Sequence, residues 1–254
     1  MLTAVLVGIA IGLVVGALGA GGGLLAIPAL VYLLHLTPHN AAASSLVIVG
    51  VTALVSLIAP ARAGMVRWKE GIAFGLLAVV GAVAGSRVSL LIPGHILMYM
   101  FGTVLLFLGT MMVRQGLRAR TGPKTLPRKK AGIVQILLAA TLTGIYTGLF
   151  GLGGGVIVIP LLVIMMGFRM QEASGTALVV LVISSISGLL ARIGTESQVQ
   201  WDVVLPFMIA SMIASLIAGP IAQKAPGWVL TVLFGLLLLA VAVATLVATA
   251  LQLS

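Results

Sequence analysis

Apolar stretches of membrane-spanning length follow one another from one end of this chain to the other, and that feature fixes its class. Of 254 residues, 61% are hydrophobic and only 7% are charged. A helix needs about 20 apolar residues to cross a hydrocarbon core of roughly 30 Å. A transmembrane barrel would instead alternate in segments of about 10 residues, a pattern the sequence lacks. The expected fold is an all-α polytopic membrane protein.

The positions of the charges say more than the net charge of +10. Half of the 14 Lys and Arg residues fall in "RQGLRARTGPKTLPRKK", between Arg114 and Lys130. With Pro123 and Pro127 and no apolar run, this stretch reads as a polar linker over residues 114–130. Lys and Arg concentrate in cytoplasmic loops, so the linker is expected in the cytoplasm, where it can also touch anionic lipid. No basic surface is interleaved with aromatics, so nucleic acid is not an expected partner. The absence of cysteine excludes disulfides, iron–sulfur ligation and thiol chemistry. The N-terminal "MLTAVLVGIA" lacks the basic region of a secretory signal and reads as the start of the first membrane helix.

Two glycine-rich interruptions divide the chain. Residues 16–30 read "GALGAGGGLLAIPAL" and residues 148–162 read "GLFGLGGGVIVIPLL". At one fixed offset Gly19 aligns with Gly151, Gly21–Gly23 with Gly153–Gly155, Pro28 with Pro160 and Ala41 with Ala173. After one inserted residue the match resumes, pairing Trp68 with Trp201, Phe74 with Phe207, and Pro93-Gly94 with Pro226-Gly227. Phe101-Gly102 then falls on Phe234-Gly235. Self-similarity of this kind marks a duplication: a first membrane repeat over residues 1–113, the linker, and a second repeat over residues 131–254.

Each repeat holds five apolar segments, at about 2–20, 24–36, 41–60, 71–92 and 95–113, then about 131–150, 156–168, 173–193, 202–223 and 228–250. The second of each set is short, roughly 20 Å as a helix. If all five cross, Arg62, Arg67, Lys69, Arg169 and Lys224 share the cytoplasmic side with the linker. The loops near His35–His39, Pro93 and Glu196 then fall outside, with Arg192 dissenting near an outer end. Five crossings also invert one repeat relative to the other. Hydropathy leaves open whether the short segments cross fully or re-enter.

Paired Gly-interrupted segments in two inverted halves point to a transporter's binding site. A broken helix frees amide and carbonyl groups, tolerable at membrane depth only beside protein or a water-lined cavity. Glycine permits the unusual backbone and lets a ligand come close. Freed N–H groups at the next helix start, near Leu24 and Val156, then favour an anion. Pro28 and Pro160 are expected to keep the following turns irregular. The candidate substrate-binding groups are therefore the backbone amides of Gly21, Gly22, Gly23, Gly153, Gly154 and Gly155. Gly12, Gly16, Gly81 and Gly85 fit close helix packing better. A soluble phosphate loop is not a match, because no Lys-Ser/Thr follows the glycines.

The doubled "GxGGGxxxxP", followed by "AAASSL" at 41–46 and "ASGTAL" at 173–178, resembles the sulfite exporter TauE/SafE family across nearly the whole chain. That family comprises bacterial membrane permeases for sulfite and small sulfur-containing or sulfonated anions. The resemblance implies a secondary transporter of the inner membrane carrying a sulfur oxyanion or sulfonate, coupled to protons. It implies neither cofactor nor enzyme activity. A passive anion channel could use the same broken helices. A Ser-His hydrolase would need a serine and a histidine to converge within the membrane.

Several side chains could serve such an anion. Ser44 and Ser45 align with Thr176 and Ala177, and hydroxyls there either bind an oxyanion or bond back to a helix carbonyl. Asn40 and Glu172 occupy equivalent positions. Asn40 reads as an N-cap. Glu172 reads either as a favourable first-turn acid or as a proton carrier. Arg87, inside an apolar segment, is a candidate for anion attraction or snorkels to the interface. His35 and His39 lack carboxylates at metal-ligand spacing, so no metal is expected. Trp68, Trp201 and Trp228 fit interfacial anchoring. A homo-oligomer is compatible with all of this.

Overall fold

The computed structural model describes residues 2–19, 25–26, 29–34, 36, 38–89, 94–121, 133–150, 155–164, 166–190 and 199–253. Among them every regular element is helical: α1 (Leu2–Leu18), a π-helical turn (Ala29–Leu33), α2 (Pro38–Ser56) and the short α3 (Ile58–Arg62). Then come α4 (Trp68–Ser89), α5 (Gly94–Thr121), α6 (Ile133–Phe150), α7 (Gly155–Ile164), α8 (Met170–Leu190), α9 (Trp201–Lys224) and α10 (Gly227–Leu253). Among the described residues five stretches, one of them α2 with α3, are long and apolar enough to cross a membrane. Where the expected apolar segments fall on described residues, they are largely helical; the second of each set holds only the π-helical turn or the ten residues of α7 as a regular element.

Two expectations need adjustment. The basic stretch after residue 113 opens as helix: α5 continues through Arg114, Arg118 and Arg120 to Thr121. Hydropathy registers the bilayer, whereas Arg is a good helix former in water, so the helix outlasts its apolar segment. Nor does Pro160 make the second short segment irregular. It sits inside α7, which stays α-helical around it. The carbonyl it deprives, that of Val156, lies in the helix's first turn. In the first repeat the chain after Pro28 does take π-helical form.

Small residues set the packing. A Cβ at Gly8, Gly12 or Gly16 of α1 would collide with the backbone of Phe207, Ser211 or Ser215 of α9. The two helices therefore run parallel in near backbone contact. Gly144 of α6 meets the Ala78 carbonyl of α4 in the same way, and Gly81 faces Thr141 and Gly144. Under the repeat alignment, Gly12–Ser211 and Gly144–Ala78 are the same contact. A second equivalent pair joins α5 to α10: Gly102 abuts Leu246, and Gly235 abuts Val113. Because Gly116 meets Val232, these two helices run antiparallel. So do α2 and α8, where Gly50 faces Ser185 and Gly188 faces Leu46. In lipid, which is as apolar as Leu, such close van der Waals contact replaces the hydrophobic effect as the packing force. The close-packing role expected for Gly12, Gly16 and Gly81 is the one observed. The position of Gly85 within α4 is helical, and its surroundings lie outside the described residues.

Two cores form around the two short segments. Ala26, Ala29 and Leu30 pack with Ile11, Ile48, Leu178 and Phe207. Ile157, Val158, Ile159 and Leu162 pack with Phe74, Ala140, Val180 and Phe234. Each short segment leads into the same backbone bond, Leu36 N–H to the Leu30 carbonyl (3.0 Å) and Phe168 N–H to the Leu162 carbonyl (3.1 Å). Outward, Ile72, Leu76 and Val80 of α4 are exposed, as are Leu205, Ile209 and Ile213 of α9. Continuous apolar stripes of this kind suit lipid, not water.

Candidate functional site

One end of the bundle collects the charge. Arg67 at the entry to α4 is tied to the start of α8 by an ion pair with Glu172 at 3.4 Å. The start of α8 is tied to the α9–α10 turn by Gln171, whose Nε2 donates to the Ala225 carbonyl at 3.0 Å. The end of α5 reaches the start of α10, where Arg120 lies 5.4 Å over the Trp228 ring. Arg62, Lys69, Arg118, Arg169 and Lys224 share that end. At the other end, where α9 opens with exposed Trp201 and Asp202, no Lys or Arg stands among the described side chains.

The first turn of α8 organises this basic end. Glu172 is the third residue of the helix and accepts the Arg169 backbone N–H at 3.4 Å, the reciprocal half of a capping box. The same carboxylate holds Arg67, whose guanidinium also lies 4.0 Å from Glu70 and 5.5 Å over the Phe168 ring. The Thr176 hydroxyl donates to the Glu172 carbonyl at 2.7 Å and accepts the Arg67 backbone N–H at 3.2 Å. Its donor is thus committed to the helix and one lone pair to the neighbouring loop. Asn40, expected as a cap, lies within α2, which begins at Pro38. It occupies the first turn, as Glu172 does in α8.

Beside this turn lies a cavity of about 20 Å³ lined by Gly16, Gln171, Ser174, Gly219 and Gln223, with Pro60 and Leu230 closing its sides. That is room for about one water. The α1 helix ends there: Gly19 takes a φ of +75°, the left-handed conformation that closes helices. A Cβ on Gly19 would fall on the Ser174 hydroxyl. The Gln223 Nε2 is buried without a hydrogen-bond partner. Sequence reasoning passed over Gln171, Ser174 and Gln223, because their convergence is a tertiary event. The available signal was the uncharged polar side chain at the basic ends of two apolar segments.

The other expected site residues are distributed differently. Gly21, Gly22, Gly23, Gly153 and Gly154 lie outside the described residues, and Gly155 is the first residue of α7. The backbone at Arg87 is helical within α4, and its side chain lies outside the described residues. The side chains of His35 and His39 do too. Ser44 and Ser45 are buried in α2, and the Ser44 hydroxyl has no partner. Ser44 and Thr176 do not come together. The antiparallel register of α2 and α8, with Leu46 at Gly188 and Gly50 at Ser185, places them about 20 Å apart along the helix axis. Among the described residues no cluster of His, Asp or Glu could hold a metal.

The chain is 32% identical over 244 residues to a Xylella fastidiosa protein described as "Probable membrane transporter protein", covering 92% of this chain and 90% of that one. It is 26% identical over 231 residues to the "Probable membrane transporter protein YdhB" of Bacillus subtilis, covering 89% and 92%. A similarly described protein of Methanocaldococcus jannaschii is 26% identical over 200 residues, covering 76% and 73%. No solved structure matches the chain significantly. The profile of the family "Sulfite exporter TauE/SafE" matches residues 4–245, nearly the whole chain. A multi-pass helical chain matched over this length thus belongs to the sulfite exporter TauE/SafE family.

Proposed function

We propose that the protein is a secondary transporter, not an enzyme, that exports a small sulfur-containing anion such as sulfite across the bacterial cytoplasmic membrane. Its two halves form an inverted five-plus-five repeat, and alternating access arises as one rocks against the other. The observation that carries this reading is the antiparallel packing of repeat-equivalent helices, α5 with α10 and α2 with α8. A helix can lie antiparallel to its own copy only if the copies are inverted. On this reading the short segments traverse the bundle and do not turn back. The collection of Arg and Lys at one end supports a cytoplasmic position for that end and the linker.

The anion is received at the Gly breaks, where backbone amides supply donors without a buried cation. Protons couple through Glu172, whose carboxylate holds the first half to the second through Arg67. Protonation of Glu172 would release that tie. The test is sulfite efflux from proteoliposomes of the purified protein, with and without an imposed proton gradient. Saturable, gradient-dependent efflux is expected. Efflux indifferent to the gradient would remove the coupling, and none, with thiosulfate and sulfonates also immobile, would remove the substrate.

A further inference from the structure

The cavity at the basic end contains chemistry that the Gly breaks do not supply. Three neutral side chains with donors, Gln171, Ser174 and Gln223, line a space otherwise walled by glycine, alanine, proline and leucine. A buried N–H donor without a partner is costly to maintain, because it forfeits its hydrogen bonds to water. Gln223 Nε2 is in that position, on α9, where Ile221 beside it faces outward. Gln171 spends its amide on the Ala225 carbonyl, a neighbouring group that water could serve equally well if the turn opened. The Ser174 hydroxyl stands at the left-handed end of α1, so close to Gly19 that no side chain could replace that glycine.

We propose that Gln171, Ser174 and Gln223 form the binding site for the transported oxyanion on the basic side of the membrane. The inference rests on the transporter reading above and adds to it the side chains that hold the substrate. Amide and hydroxyl donors bind an anion without requiring a buried counter-charge, whose desolvation would offset much of the attraction. The exposed Arg169 and Lys224 flank the same turn and raise the local anion concentration without entering the site. The nearest acid of the turn, Glu172, is already paired with Arg67, so the cavity offers a cation no free carboxylate from that turn. A cavity of about 20 Å³ is too small for a three-oxygen anion. Admission therefore requires the first turn of α8 to move off α9, and Gln171 exchanges the Ala225 carbonyl for the anion as it does so. The repeat-equivalent position of Ser174 is Ala42, so the two ends of the protein would bind the anion unequally.

The experiment measures sulfite efflux and thermal stability on the full-length protein and on Gln223→Leu. The Michaelis constant for sulfite is expected to rise about tenfold or more, as loss of a hydrogen bond to an anion requires. The melting temperature should hold or rise, because the unpartnered buried Nε2 has been removed. An unchanged Michaelis constant in a folded Gln223→Leu protein would overturn the proposal. If Gln223→Leu fails to fold, Ser174→Cys decides. The chain has no native cysteine, so a water-soluble thiol reagent reports on that position alone. Protection by sulfite supports the site, and labelling at the same rate with and without sulfite overturns it. Wild-type protein that moves no sulfite would instead refute the transporter reading, a failure distinct from loss of the site alone.

Discussion

The first turns of α2 and α8 align in the sequence, and they carry different polar side chains. In α8 the turn carries Gln171, Glu172, Ser174 and Thr176, each held against another element or lining the cavity. In α2 the counterparts are His39, Asn40, Ala42 and Ser44, and the Ser44 hydroxyl is buried without a partner. Yet in the glycine seams a contact recurs at aligned positions, Gly12 on Ser211 as Gly144 on Ala78, and Gly102 on Leu246 as Gly235 on Val113. Where backbones touch, any Cβ forces helices apart, so small residues stay at these aligned positions. The polar turns bear no such constraint and are free to specialise. The difference teaches that the two ends of this protein share a frame and not a site.

The seams offer the severest test of that claim. Gly12→Val and Gly144→Val each drive a branched side chain into a facing carbonyl, of Ser211 or of Ala78. Each should cost about 3 kcal/mol or more, at the upper end of overpacking penalties. The losses should match between the repeats to within about 1 kcal/mol, given how far such costs vary with context. Thermal melting of the two variants in detergent provides the comparison. If one is tolerated and the other unfolds, the seams are not equivalent and the repeat is only superficial.

The polar turn of α8 comes next. Thr176→Val keeps the β-branched shape but leaves the Arg67 N–H without its acceptor. The expected loss is about 1 kcal/mol, the net worth of a hydrogen bond at a part-buried site. Because the contact joins the first half to the second, hydrogen exchange should rise at residues 65–67 before it rises in the seams. Uniform loosening throughout the bundle would show that the turn is not a separate fastening.

Most of the frame could be read from the sequence, and the reasons are physical. Apolar length reports bilayer thickness, so the helices fall where hydropathy places them. Gly12, Gly16 and Gly81 advertise close packing because small residues have little other use on a membrane helix face. The site was less legible. Thr176 and Glu172 stood out as polar residues near a repeated motif, but their engagement with Arg67 depends on a loop 105 residues or more away. Gln171 and Gln223 sit at the ends of different segments, and no local pattern brings one near the other. The helical start of the linker escaped notice for the opposite reason, because a charged helix in water leaves no trace in hydropathy.

The smallest effect is the most discriminating. Ser44 is fully buried and its hydroxyl is unpartnered, so Ser44→Ala removes a group that costs stability as it stands. The change should leave the melting temperature unaltered or stabilise the protein by up to about 1 kcal/mol, the reverse of Thr176→Val at the equivalent position. A clear destabilisation would mean that Ser44 is held by a bond like that of its counterpart, and the two turns would be alike after all. Sulfite efflux from the same variant adds the functional half of the comparison. Stability unchanged with efflux impaired would make Ser44 a ligand at the far end of the path, about 20 Å of helix from Thr176. Stability and efflux both unchanged would leave the α8 turn as the polar centre of an asymmetric transporter.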